Sequence, residues 1–166
     1  ILAEGTDQHV RDGVRIGRAV DSNGKAIAGL NVLTRHYRLS DDIAFRFSNR
    51  SWSEWPLTPE KFASWVARES EPCVLYMDYE TLGEHQWAET GIFDFVAQLP
   101  EAMIAAAKQR DAHTPAFLTP AQVAGAQKET KPTREFNVPE ATSWADTERD
   151  VSAWQGNAMQ RHALEQ

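Results

Sequence analysis

Short apolar runs alternate with longer polar stretches along this chain, and the period of the apolar positions changes from one run to the next. Cys73-Val74-Leu75-Tyr76-Met77 is a compact apolar run behind Pro72. Its length and its branched and aromatic content predict a buried strand rather than a helix. Residues 27–33 predict another strand, and Ile1-Leu2-Ala3-Glu4-Gly5 reads as a strand end running into a loop. Phe62, Trp65 and Val66 recur at helical spacing behind Thr58-Pro59-Glu60. Thr58 suits the cap of that helix and Pro59 its first position, and the helix is expected to reach about residue 69. The order strand, helix, strand is a βαβ unit, which favours a parallel sheet or barrel. Beyond Trp87, Thr90-Gly91 opens a longer helical pattern with Ile92, Phe93, Phe95, Val96 and Leu99 on its apolar face. Pro100 is expected to bend or restart it before Met103, Ile104 and Ala107 continue the stripe.

The remaining segments are more polar. Residues 7–25 carry Arg11, Arg15 and Arg18 and close with the turn signal Asp21-Ser22-Asn23-Gly24. They read as a surface excursion with solvated arginines. Leu39-Ser40-Asp41-Asp42 admits two readings. Ser40 can cap a short helix with Asp41 and Asp42 in its first turn, or the alternation of Ile43, Phe45 and Phe47 can mark an extended segment. Arg46, between two phenylalanines, is expected to pair with Asp41 or Asp42. Residues 115–118 predict a short strand, Thr119-Pro120-Ala121-Gln122 starts a short helix, and 128–139, with Pro132 and Pro139, reads as a surface loop. Thr147 and Asp150 are candidate caps of a last helix, with Val151, Trp154 and Ala158 on one face.

Composition narrows the partners. The chain has 166 residues, the size of one ordinary domain, with 42% apolar and 25% charged positions. A net charge of -7 and a pI near 5.2 argue against nucleic acid and are neutral toward uncharged sugars. No apolar stretch approaches the ~20 residues of a membrane span. The single cysteine, Cys73, excludes an internal disulfide and favours a reducing compartment such as the cytoplasm. The first residue is Ile1 and no signal-like start is present, so the chain reads as a piece of a longer product. Six tryptophans are many for this length. Core packing accounts for any one of them, and flat stacking surfaces for sugar rings are the functional alternative.

The densest chemistry follows the run 73–77: Asp78, Glu80 and Glu84, with His85 and Trp87 beside them. Ligands of parallel sheets and barrels sit beyond the carboxyl ends of the strands. Asp78 and Glu80 are two apart and share a side while the chain stays extended. Two such carboxylates at the edge of an apolar core should not both ionise normally, and one becomes an acid useful near neutral pH. A polar loop with its acids in water satisfies the same pattern. Cation ligation by Asp78, Glu80, Glu84 and His85 is a third reading. One histidine and no HExxH pattern speak against it, so neither metal nor cofactor is expected.

Met77-Asp78-Tyr79-Glu80-Thr81-Leu82-Gly83-Glu84-His85 resembles the fourth conserved region of the α-amylase branch of glycoside hydrolase family 57. The stretches 37–48 (Tyr37-Arg38-Leu39-Ser40-Asp41-Asp42 onward) and 143–157 (Ser143-Trp144-Ala145-Asp146-Thr147-Glu148 onward) are similar to the same branch, in the family's order. Leu82 stands where the family has Phe, a change of apolar packing only. The resemblance implies an α/β fold, a partial βα barrel of the family's seven-stranded type, with helical segments following it. Residues 1–166 would then be the later part of one catalytic domain. Residues 1–118 would supply barrel strands and helices, and 119–166 a loop and helical segment closing the cleft.

The function so implied is that of a retaining hydrolase acting on α-glucans or maltooligosaccharides, with Asp78 as the general acid/base. Glu80, Glu84 and His85 would hold Asp78 and sugar hydroxyls, and Glu80 could be the like charge that raises the Asp78 pKa. Trp87, Trp144 and Trp154 are stacking candidates, and Asp150 joins Trp154 in the glucan contact implied by the fifth conserved region. Glu4 near the cleft, Asp41, Asp42 and Arg46 on its wall, and Asp146 and Asn157 on its rim would support the site. The family's nucleophile is a glutamate in a region preceding the segment that resembles Ile1-Leu2-Ala3-Glu4-Gly5. Glu4 does not match that motif. The chain is therefore expected to need the remainder of its own catalytic domain, not to turn over starch alone, and to leave a strand edge unpaired. A non-catalytic α-glucan-binding relative and a 4-α-glucanotransferase would use the same residues.

Overall fold

The computed structural model describes residues 2–3, 16–69, 72–110, 117–126, 134–136 and 150–166. The sheet is built around a hairpin that Asp21 turns. Its Oδ1 accepts the backbone N–H of Asn23 and of Lys25, each at 2.9 Å. Gly24 takes φ +76°, a conformation that costs a glycine nothing. The turn joins strand β2 (Ile16–Val20) to strand β3 (Ala26–Thr34) in antiparallel pairing. The stretch 7–25 is thus not wholly a surface excursion. Arg18, expected in solvent, pairs with Glu135 at 2.6 Å on strand β4 (Arg134–Phe136), which runs parallel to β2. Strand β4 likewise corrects the loop expected over 128–139. Both strands are short, so pairing with neighbours decides their conformation. Strand β1 (Leu2–Ala3) completes the order β1-β3-β2-β4, parallel to β3 with Ala3 opposite Thr34. Among the described residues the outcome is a mixed α/β arrangement with one small mixed sheet.

The run 73–77 is not part of that four-stranded sheet, which overturns the central strand and the βαβ unit expected there. It is nonetheless strand-like. Cys73, Leu75 and Met77 pack against the helical core, while Tyr76 and Asp78 are exposed. Among the described residues its backbone bonds go to the corner after β3 instead of to a ladder. The N–H of His36 donates to Val74 O at 2.8 Å, Arg35 Nε donates to Tyr76 O at 2.7 Å, and Tyr76 N–H donates to Ser40 Oγ at 3.2 Å.

Helix α1 (Tyr37–Ala44) is capped by His36, whose Nδ1 accepts from Leu39 N–H at 3.3 Å. Ser40 is therefore not the cap. It lies buried within the helix with Asp41 and Asp42. The extended alternative for 43–47 fails too, since Ile43 belongs to α1 and Phe45 is exposed. Helix α2 (Pro59–Val66) starts as expected, with Thr58 accepting from Lys61 N–H at 3.2 Å. Helix α3 (Ile92–Gln109) begins after Gly91 at φ +84° and passes through Pro100 unbroken. Val96 and Pro100 are exposed, so water can replace the hydrogen bond that proline removes.

The core lies among these three helices: Leu39, Ile43, Phe47, Leu57, Phe62, Ala63, Ile92, Phe95 and Met103. Phe95 meets Phe47 and Phe62 edge-on, at 5.1 and 5.8 Å between ring centroids. Trp65 packs against this cluster together with Trp52. Thr119 caps helix α4 (Pro120–Ala126) reciprocally with Gln122. Phe117 and Leu118 belong to no strand, and 115–116 lie outside the described residues. The single last helix is instead two, α5 (Ser152–Gln155) and α6 (Ala158–Leu164), because Asn157 forms a capping box with Gln160 and restarts the chain. Among the described residues no helix is long and apolar enough to cross a membrane.

Candidate functional site

The extended segment ends at Asp78 (φ −63°, ψ 142°), and Tyr79–Thr81 follows as one tight 3-10 turn. The loop then closes on itself. Glu80 O accepts from the N–H groups of Glu84 and His85 at 3.1 and 3.2 Å, Thr81 O accepts from Gln86 N–H at 3.0 Å, and Gly83 N–H donates to Gln86 O at 3.0 Å. Gly83 takes φ +115°, a backbone conformation for glycine. Buried Gln86 moors the loop: its Nε2 donates to Ala44 O, the end of α1, at 2.9 Å. Leu82 packs against the core beneath.

Polar and aromatic groups occupy the outer side of this loop. Asp78, Glu80, Glu84 and His85 are exposed, as are Tyr79 at 92% and Trp87 at 60%. The same-side pairing of Asp78 and Glu80 does not survive, because extended backbone stops at Asp78 and Glu80 lies in the turn. Glu80 faces His85 instead, with Oε1 4.0 Å from Nε2. Among the described residues no three His, Cys, Asp or Glu side chains converge to hold a metal ion.

Beneath the loop, α1 carries a buried charge cluster. The ion pair expected for Arg46 forms with Asp42, Nη1 to Oδ1 at 2.8 Å, and Arg38 Nη1 lies 3.6 Å from Oδ2. Burial raises the Asp42 pKa above its ordinary value, while Arg46 and Arg38 pull it down. Asp41 pairs with Arg35, a buried residue that the sequence reading passed over. Its position at the end of an apolar strand, six residues before an acid, was the available signal, since a buried guanidinium needs a carboxylate.

Other site candidates lie apart from this loop in the chain. Asp150 accepts from Ser152 N–H at 2.7 Å at the start of α5, and hydrogen bonds from the Ser152 hydroxyl first and its N–H second hold its carboxyl below the usual value. Trp154 is exposed on α5, and Asn157 caps α6. Glu4, Trp144 and Asp146 lie outside the described residues.

The sequence profile of the family described as Glycosyl hydrolase family 57 matches residues 1–139, which include α1, the segment 73–77 and the whole carboxylate loop. The chain belongs to glycosyl hydrolase family 57. A family 57 chain of this kind has a curated relative in Methanocaldococcus jannaschii, named "Putative alpha-amylase", which is 49% identical over 140 residues. That alignment covers 82% of the present chain and 28% of the relative, so the family 57 chain spans less than a third of that protein's length. No solved structure matches the chain at a significant level.

Proposed function

We propose that this chain carries the general acid/base, Asp78, of a retaining α-glucan hydrolase. The observation behind the reading is the placement of Asp78. It is an exposed carboxylate at the end of a strand-like segment whose backbone is bonded to the β3–α1 corner, and exposed aromatic residues flank it in the chain. Family membership and the similarity to an alpha-amylase by name support the substrate class. In this reading the chain is the later part of a catalytic domain and its small sheet is part of the family's seven-stranded barrel. The remainder of the full-length protein supplies the nucleophile, and the chain alone does not hydrolyse starch.

The chemistry follows from two carboxyl groups about 5 Å apart across the scissile bond. Protonated Asp78 gives its proton to the glycosidic oxygen as the C1–O bond breaks, and the nucleophile's carboxylate bonds to C1. Asp78, now ionised, takes a proton from water as the water oxygen attacks C1 and frees the nucleophile. The product keeps its anomeric configuration. Glu80 and His85, which face each other, contact sugar hydroxyls with Glu84 beside them, and Trp87 offers a stacking face. Trp144, Asp150 and Trp154 add glucan contacts from the later segment.

Reducing-end release from maltooligosaccharides by the full-length protein, beside its Asp78→Asn variant, tests this. The expected loss is about two orders of magnitude or more. A variant within about tenfold of wild type removes Asp78 from the role. Binding of the sugars without cleavage by either protein makes the loop a binding surface instead.

A further inference from the structure

We infer that Arg35 positions Asp78 for proton transfer, an inference that rests on the reading of Asp78 as the acid/base. Arg35 is 7% exposed, at the point where β3 gives way to α1. Among the described residues, groups from three places in the chain meet its guanidinium. Nη2 pairs with the buried carboxylate of Asp41, and the plane lies over the Tyr37 ring, 5.2 Å from its centroid. Nε donates to Tyr76 O at 2.7 Å, across 41 residues of sequence. The N–H of Tyr76 is meanwhile bonded to Ser40 Oγ at 3.2 Å. Both polar groups of the Tyr76 backbone are therefore held by side chains of one corner.

This corner does for 73–77 what a ladder partner does for a strand. Asp78 follows Tyr76 by two residues, and the intervening Met77 packs against the core. With the backbone extended, Tyr76 and Asp78 share the exposed side, so the direction of the Asp78 side chain follows from the peptide that Arg35 grips. The grip is a charge-assisted hydrogen bond in a half-buried place, one of the stronger kinds. It needs the arginine fork, because separate N–H groups reach the carboxylate and the carbonyl at once. Lysine at this position keeps a charge beside Asp41 and loses that geometry. Arg35 touches no reacting atom in this account, so it is a positioning residue.

The test compares Arg35→Lys with wild type in the full-length protein, on maltotetraose and on α-maltosyl fluoride. Fluoride departs without a proton, and kcat/KM reports the steps up to departure of the leaving group. The expected result is a fall of about 10- to 100-fold in kcat/KM on maltotetraose and of less than about threefold on the fluoride. Added to Asp78→Asn, Arg35→Lys should cost little more on maltotetraose, since both act on one proton transfer. Circular dichroism and the unfolding midpoint establish that the variant folds. If it does not, Ser40→Ala, which removes the other bond to Tyr76 and leaves the ion pair, is put through the same comparison, with a smaller contrast expected. Equal losses on both substrates, or losses that multiply with those of Asp78→Asn, overturn the positioning role and leave Asp78 in place. Retention of maltotetraose activity by Asp78→Asn alone overturns the acid/base reading and the role of Arg35 with it.

Discussion

Asp42 is 2% exposed and carries a charge in the middle of α1, with Arg46 on one oxygen and Arg38 farther from the other. Desolvation, aided by the neighbouring charge of Asp41, outweighs both arginines and raises its pKa above the ordinary 3.8. The native state then binds this proton more readily than the unfolded chain does. The sign follows from linkage: the contribution of Asp42 to stability worsens as pH rises from 3.8 through the folded value, and is constant above it. The stability of wild type minus that of Asp42→Asn, from urea unfolding, is therefore expected to fall as pH rises from about 4 through the raised folded value and then to level. A difference that grows over this window contradicts the burial argument. Arg35 and Arg46 show what single residues reveal in a sequence. Arg46 stands between two phenylalanines and its acid lies four residues back, within one helical turn. Arg35 has its acid nearby but its decisive partner, the Tyr76 carbonyl, lies far along the chain, and no local spacing encodes that contact.

At the scale of elements, local signals worked where local chemistry decides. Thr58 with Pro59 and Thr119 with Gln122 start helices because a side-chain oxygen meets an orphan N–H within four residues. The turn at Asp21 forms for a similar reason. Strands β2 and β4 were missed because they are short and owe their conformation to pairing with neighbouring strands. The run 73–77 showed the opposite failure. Its alternation and burial are those of a strand, but among the described residues its hydrogen bonds go to backbone and side-chain groups of the β3–α1 corner, which a pattern of apolar residues does not register. Pro100 stays within α3 at a cost, since the helix loses one N–H donor in its interior. Pro100→Ala is expected to stabilise the protein by about 1–3 kcal/mol, read from urea unfolding. A destabilised variant would mean that proline shapes the helix to fit the core.

At the scale of the whole molecule, the candidate site is a tether and a platform. The β3–α1 corner holds the segment leading to Asp78, Gln86 holds the loop after it to the end of α1, and the carboxylates, His85 and Trp87 are left facing outward. The cluster 78–87 was legible because its charged and aromatic residues are contiguous and resemble a known region. The relation of Asp78 to Glu80 was not, because it hangs on where extended backbone ends. The proposed role of the whole loop turns on Asp78 delivering the proton. The pH dependence of kcat/KM on maltotetraose, measured for the full-length protein and for the residual activity of Asp78→Asn, tests it most directly. The essential acid of the free enzyme sets the alkaline limb of that profile. The account predicts that this limb is present in wild type and absent from Asp78→Asn. An alkaline limb that persists unchanged in the variant would contradict it.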